Sequence, residues 1–377
     1  MRKTLFSILP LLVFLGPTYN RLPLFFGANL GGAAPATVEA ADALRPVNAI
    51  AGEVRGRLEE ARRALEELPS DTTEFVTLAV AAPDGAGLHL LRLAKQEFLK
   101  KNGEIAATAV DGARLTLKIV RPNYVNTAVE VLDEAGRALQ PLVVRYPIEK
   151  EGRLKEVAYY TSAHPAVGSD EEVMRAGREY VRERLNEAAA RLAAKGKRVS
   201  PDLIDVAERL CFVEHTDHQR FLTEDRGALF REIQALYALN DRDTYRYSVS
   251  SAGAGGMVQM IPPTYKAIRE QHASVGLKED FVEGMRDHAN ALEAMLLYMQ
   301  DTWDHLLRQE EVRAALSTGQ ATQAELLAAG YNSNPFKLPK YLRQGGSGWR
   351  ALIPEETKMY LRIYASLEEH VRFNNRA

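Results

Sequence analysis

Three short segments of this chain carry side chains equipped for chemistry. Glu214 follows Leu210-Cys211-Phe212-Val213, and a carboxyl group behind four apolar or weakly polar residues is a candidate for burial. Burial disfavours the ionised form and keeps such a group protonated near neutral pH, as donation to a leaving oxygen requires. The second segment is Ser250-Ser251-Ala252-Gly253-Ala254-Gly255-Gly256-Met257-Val258-Gln259-Met260-Ile261-Pro262. Its glycines and alanines let the backbone turn tightly and approach a ligand closely. Met257, Val258 and Met260 add adaptable apolar surface, and Gln259 carries both donors and an acceptor. Such a segment reads either as a substrate-binding floor or as a glycine-rich loop entering a buried helix. The third segment, Leu326-Leu327-Ala328-Ala329-Gly330-Tyr331-Asn332, is an apolar helix end running into a Tyr-Asn turn. Tyrosine can hydrogen-bond a carboxylate, and asparagine an acetamido or hydroxyl group.

The residues around these segments read more plainly. Asp217, three positions past Glu214, reads as solvated rather than as a partner carboxylate. His215 and His218 lack a third ligand, so they read as polar surface; no metal or other cofactor is expected. Cys211, the single cysteine, excludes an intramolecular disulfide and reads as a buried thiol. Trp303 and Trp349 have faces that can stack on sugars, but core packing is their first reading.

Helices must position these groups. Ser200-Pro201 is a start signal for the helix that ends at Glu214, because proline suits a first turn where its missing N–H is not needed. Leu203, Ala207, Leu210 and Cys211 give that helix an apolar face. Ser169 through Glu172 fits a capping box opening a helix whose Val173, Tyr180, Val181, Leu185, Ala188 and Leu192 share one face, with Gly196 as its stop. Further helical runs span 227–239, 289–307 and 355–371. Upstream, 75–80 reads as a strand, 88–99 as an amphipathic helix, and 115–120, 127–132 and 142–148 as strands, with a hairpin turn at Asp133-Glu134-Ala135-Gly136. Residues from about 40 to 68 read as a charged helix.

The N-terminus carries a compartment signal. Arg2 and Lys3 precede an apolar run from Leu5 to Leu15, in the order of an export signal and shorter than a membrane span. Cleavage after Ala36 fits a small-residue site, and an uncleaved membrane anchor is the alternative. The expected fold class is α+β. Residues 1–40 form the export signal or anchor with a linker, 41–69 a helical spacer, 70–167 a small α/β or β-rich domain, and 168–377 a mainly helical domain. A net charge of −2 with 26% charged residues gives no global basic field, so nucleic acid is not an expected partner.

Taken in order, these motifs resemble the lytic transglycosylases with a soluble-lytic-transglycosylase (SLT) domain, of the lysozyme-like superfamily. Those enzymes have a helix ending in the catalytic glutamate, then Ser-x-Ala-Gly-Ala-x-Gly-Leu-Met-Gln-x-x-Pro, Ala-Tyr-Asn and Glu-Thr-x-x-Tyr. The matching positions are Glu214, Ser250 through Pro262, Gly330-Tyr331-Asn332 and Glu356-Thr357-Lys358-Met359-Tyr360. The resemblance covers about 200–368 and implies a lysozyme-like fold for the C-terminal domain. It implies cleavage of the peptidoglycan glycan strand between N-acetylmuramic acid and N-acetylglucosamine, leaving 1,6-anhydro ends. Glu214 would be the catalytic acid, Tyr331 would orient it, and Ser250, Met257, Gln259, Asn332 and Tyr360 would complete the substrate-binding set with Tyr331. The partner would be the glycan strand in the periplasm or cell envelope, with 70–167 spacing the enzyme, binding wall or contacting cell-wall proteins.

The chain departs from the family pattern in several places. His215 stands where the family has serine, and 45 positions separate Glu214 from Gln259, so about 219–245 looks inserted. Leu-Met-Gln is Met-Val-Gln, and Ala-Tyr-Asn is Gly-Tyr-Asn. Glu208 is the rival position for the acid. A hydrolytic muramidase and a non-catalytic glycan-binding or scaffold protein are the alternative readings.

Overall fold

The structure is a computed structural model that describes residues 52–69, 72–82, 87–162 and 171–376. The expected export segment and the Ser169 cap lie outside those residues. The described residues are 55% helical and 18% strand, and their strands all fall between Phe75 and Tyr160, so the two structure types are segregated as in an α+β protein. Contacts divide the chain into two units. Of the described residues, one holds Arg184–Gly227 and Ser248–Arg376; the other holds those from Gly52 to Glu183 together with Ala228–Tyr247.

The second unit is built on an antiparallel sheet. Helix α1 (Gly52–Glu66) precedes β1 (Phe75–Ala81) and β2 (Leu88–Ala94); a turn of helix, α2 (Lys95–Phe98), leads to β3 (Glu104–Thr108), β4 (Arg114–Arg121), β5 (Ala128–Asp133), β6 (Ala138–Lys150) and β7 (Arg153–Tyr160). The strand order is β2-β1-β6-β5-β4-β3, and β7 also pairs with β6. Long β6 links the two halves: its start pairs with β5 across the Asp133–Gly136 turn, and the rest runs between β1 and β7. One face of the sheet buries Val76, Leu78, Val80, Leu91 and Leu93 in the main core; on the other, Ala79, Ala81 and Val143 pack with Ala61 and Leu65 of α1.

Residues 88–94 are a strand, which corrects the helix expected over 88–99. Leu91 and Leu93 face one apolar layer, and Leu88 and Leu90 pack against the other. A strand covered on both faces loses its alternation, so a short apolar run reads like a helix. Only the last four residues, Lys95–Phe98, are helical.

The stretch that looked inserted contributes to this sheet-bearing unit. After α3 (Glu171–Ala194), α4 (Pro201–Val213) and α5 (His218–Thr223), helix α6 (Arg226–Asn240) sends Leu236 into the main core of the sheet. Glu232 pairs with Arg121 at 2.6 Å, and the Asn240 side-chain carbonyl accepts from the Thr161 N–H at 2.7 Å. A Cβ added at Gly177 would sit 1.9 Å from the Gln234 carbonyl oxygen, so glycine there lets α3 approach the α6 backbone.

The remaining helices belong to the other unit: α7 (Pro262–Gln271), α8 (Phe281–Arg286), α9 (His288–Leu307), α10 (Glu310–Ser317), α11 (Gln323–Asn332), α12 (Leu338–Gly345) and α13 (Glu355–His370). Helix α4 is at its centre, since every residue from Leu203 to Val213 is buried. Among the described residues, no helix is long and apolar enough to cross a membrane.

Candidate active site

Helix α4 starts where Ser200 caps it, its hydroxyl accepting the Leu203 N–H, with Pro201 in the first turn. It buries three charged residues as well as its apolar ones, and each has a partner. Arg376 bonds Asp205 at 2.6 Å and also reaches Glu208, while Arg209 pairs with Glu368 at 2.7 Å. Glu208 is thus committed to an ion pair, which removes it as a rival acid. The helix ends at Glu214, whose N–H still bonds the Leu210 carbonyl. Beyond the bend, the Asp217 carboxylate accepts the Arg220 N–H at 2.9 Å and caps α5. Asp217 is therefore a cap rather than a catalytic partner.

Glu214 is half-buried as a residue. Burial pushes it from 4.5 up to about 8; a hydrogen bond from Tyr360 opposes the rise, and the Glu356 carboxylate adds to it. The Tyr360 hydroxyl donates to Glu214 Oε1 at 2.6 Å. Tyr360 and Glu356 stand four apart on α13, which puts both on one helix face. That phenol is itself raised well above its ordinary value by burial and by the neighbouring carboxylate, so it remains a donor.

The glycine-rich segment is a compact knot of turns. Gly255 bridges both Val249 and Met260. Gly256 has φ 66°, and a Cβ there would lie 2.1 Å from the Met285 carbonyl oxygen, so no other residue fits without displacing backbone. Gln259 is also left-handed, with φ 45°. Its amide nitrogen donates to the Gly256 carbonyl at 2.8 Å and to the Ser248 hydroxyl at 3.2 Å, leaving Oε1 to accept from a ligand. A non-glycine residue held in this region costs on the order of 1–3 kcal/mol, and such strain gathers at binding sites. His215 ties the segment to the end of α4: its Nε2 lies 3.0 Å from the Met257 carbonyl oxygen. Burial drives the ring down to about 3, so His215 is neutral and donates through Nε2.

Tyr331 does not make the bond to Glu214 expected of it. Its hydroxyl donates to the Val258 carbonyl at 2.7 Å, while its ring meets Tyr298 edge-on at 5.7 Å. The role of orienting Glu214 falls to Tyr360, and Tyr331 holds the glycine-rich segment instead. Burial first and then the Glu214 charge raise the Tyr331 phenol, so the two groups still feel each other. Asn332 Oδ1 accepts from the Thr357 hydroxyl at 2.9 Å, which fixes the end of α11 to α13.

Models of protein families, curated proteins and solved structures give no match to this chain. The geometry therefore carries the functional reading by itself. It gathers Glu214, Tyr331, Asn332 and Tyr360 with the Val258–Gln259 backbone, and it sets one expected ligand contact aside. Met257 is fully buried and offers no face to a sugar. The Ser250 hydroxyl accepts the Ala254 N–H at 3.0 Å and closes a turn. Trp349 is core, its indole N–H donating to the Gln320 carbonyl. Glycine at 330, where the resembling family has alanine, also has a packing reason: a methyl group would press on Pro335 Cβ at 3.1 Å and Thr302 Cγ2 at 3.4 Å.

Two residues next to these groups were not singled out as site residues from sequence: Glu356, whose charge acts on Glu214, and Thr357, which bonds Asn332. The signal was present in the Glu-Thr-x-x-Tyr spacing, since one helical turn carries all three side chains to the same place. The assembled site pairs a neutral carboxyl group with a fixed phenol donor, beside Gln259, whose backbone is left-handed and whose side-chain carbonyl has no protein donor among the described residues. That is a group able to give a proton and take one back, next to a polar hold for a hydroxyl- or amide-rich ligand.

Proposed function

We propose that the helical unit is a lytic transglycosylase with a lysozyme-like fold, acting on peptidoglycan as an exported, envelope-located enzyme. The observation that carries this reading is the Glu214 carboxyl, brought to about 8 at the end of a buried helix and held by Tyr360. At pH 7 a group with that value is protonated by about ten to one. Glu214 donates its proton to the oxygen of the bond between N-acetylmuramic acid and N-acetylglucosamine. The departing sugar leaves with that proton, and charge at the anomeric carbon is met in part by the substrate's own acetamido carbonyl. Glu214, now ionised, accepts the Tyr360 hydrogen bond in its stronger, charge-assisted form. It then takes the proton of the muramic 6-hydroxyl as that oxygen closes on the anomeric carbon. No water is consumed, and a tethered nucleophile supplies effective molarity without a second carboxylate. Gln259 Oε1 and the Asn332 amide group hold sugar polar groups. Burial favours the acid form and Tyr360 the base form, so both steps run from one residue near its working pH.

Hydrolysis on the same fold is the second reading, and Glu356 favours it, because a second carboxylate near Glu214 is what activation of a water needs. Digestion of purified sacculi with the protein and with Glu214→Gln separates the cases by product mass, since anhydro ends are one water lighter. The expected result is anhydro-muropeptides from the native protein and none from the variant. Fully hydrated ends would replace transglycosylation with hydrolysis. Equal yields from both proteins would remove Glu214 as the acid, and no product from either would leave a binding module.

A further inference from the structure

On the α1 side of the sheet, a small cleft lies past the C-terminal end of that helix, formed within the sheet-bearing unit alone. Strand register lines it with donors. Thr77 of β1 stands directly opposite Arg92 of β2 and Arg145 of β6, so the three side chains form one row across adjacent strands. Arg145 is 6% exposed. Its Nη1 donates to the Leu65 and Leu68 carbonyls at 2.8 Å each, capping the end of α1. Nε and Nη2 have no protein acceptor among the described residues, and neither is sealed inside the protein. Arg92 is exposed, with its guanidinium 4.0 Å from the Phe75 ring centre. Neither arginine pairs with a carboxylate among the described residues, and Glu66 at the end of α1 is held by Arg62 at 3.0 Å.

Charge and room together narrow the ligand. The end of a helix supplies about half a negative charge against two guanidinium groups, which leaves about one and a half positive charges over the cleft. A guanidinium as buried as Arg145 is costly without a counter-ion, and its Nε and Nη2 edge is a fork that meets two oxygens of one anion. A singly charged carboxylate leaves part of the positive charge unmet; a dianion meets it. The room is about 30 Å³, which holds two or three water-sized groups at about 10–15 Å³ each. That space takes the inward oxygens of one small anion and excludes an organic body. Arg92 and Thr72, both exposed, mark the side on which the rest of the anion faces solvent.

We propose that this cleft is an oxyanion site for a doubly charged tetrahedral anion, either free phosphate or sulfate or the phosphate group of a monoester. The Arg145 fork, the Arg92 guanidinium and the Thr77 hydroxyl are its donors. The assignment does not depend on Glu214 or on the reaction proposed for it. The test is a phosphorus NMR titration of the full chain with inorganic phosphate and with methyl phosphate, at fixed ionic strength and a pH of about 8, above the second ionisation of a monoester at about 6. Sulfate and acetate serve as competitors, and the titration is repeated on Arg92→Gln and Arg145→Lys. Arg92 is exposed, so its replacement keeps the fold, which far-UV circular dichroism verifies for both variants. Saturable binding of phosphate is expected, displaced by sulfate and weakened about tenfold by either substitution. Methyl phosphate separates the sources: affinity equal to that of phosphate assigns a monoester group, weaker affinity assigns the free ion, and either supports the proposal. A lack of saturable binding would overturn it and leave Arg145 as the cap of α1 alone. An unchanged affinity in Arg92→Gln would overturn it as well, as would acetate competing as well as sulfate.

Discussion

Replacing Glu214 by glutamine should make the protein more resistant to unfolding at alkaline pH while abolishing its activity. The sign follows from the carboxyl, raised from 4.5 to about 8 in the folded state. A group raised in this way leaves stability intact below its unfolded value and removes it as pH climbs towards the folded value. At 1.36 kcal/mol per pH unit, the whole rise corresponds to about 5 kcal/mol. Of this, about 4 kcal/mol should be lost between pH 5 and pH 9, because a little is already gone at pH 5. Glutamine keeps the shape and cannot ionise, so the variant escapes that loss. The assay is urea unfolding at pH 5 and pH 9 followed by tryptophan fluorescence. Both tryptophans, Trp303 and Trp349, lie in the unit that holds Glu214, so the signal reports that unit. The quantity to read is the change with pH in the difference between the two proteins, which cancels any constant effect of the swap. Parallel curves, differing by the same amount at both pH values within about 1 kcal/mol, would refute a Glu214 held neutral by burial.

Three further outcomes test neighbouring parts of the argument. Tyr360→Phe removes a hydrogen bond that lowers the Glu214 value, so the alkaline limb of the pH–activity profile should move up by about one pH unit, the worth of one hydrogen bond to a charged group; an unmoved or lowered limb would count against Tyr360 as the donor. Gly256→Ala drives a methyl group into the Met285 carbonyl and should cost about 3 kcal/mol, read as a lower urea midpoint. Arg376→Ala leaves Asp205 and Glu208 buried without their cation and should cost about 3–5 kcal/mol by the same fluorescence assay.

Most of the candidate site could be read from sequence because its parts are local. Ser200-Pro201 fixes the start of α4, the apolar run before Glu214 forecasts its burial, and the glycines at 253 and 256 do adopt positive φ. Which tyrosine bonds Glu214 was not legible: Tyr331 and Tyr360 are chemically the same, and only the packing of α11 and α13 decides between them. Nor was the fate of Met257, since a thioether in a glycine-rich turn suits a ligand face and a core equally well. Glu208 and Glu214 likewise look alike until Arg376, more than 160 positions away, pairs with the first. The α+β class was legible from the strand runs, and β2 was misread because both faces of its sheet are covered.

Helix α6 has a consequence for synthesis. The sheet is complete in sequence by Tyr160, yet Leu236, Glu232 and Asn240, which pack on it or bond within its unit, are translated more than 70 residues later. A ribosome must therefore make the helix bearing Glu214 before the sheet-bearing unit has all its parts. The nascent chain carries an unfinished apolar surface through that interval, and chaperone protection of the chain should matter most while 161–240 is emerging.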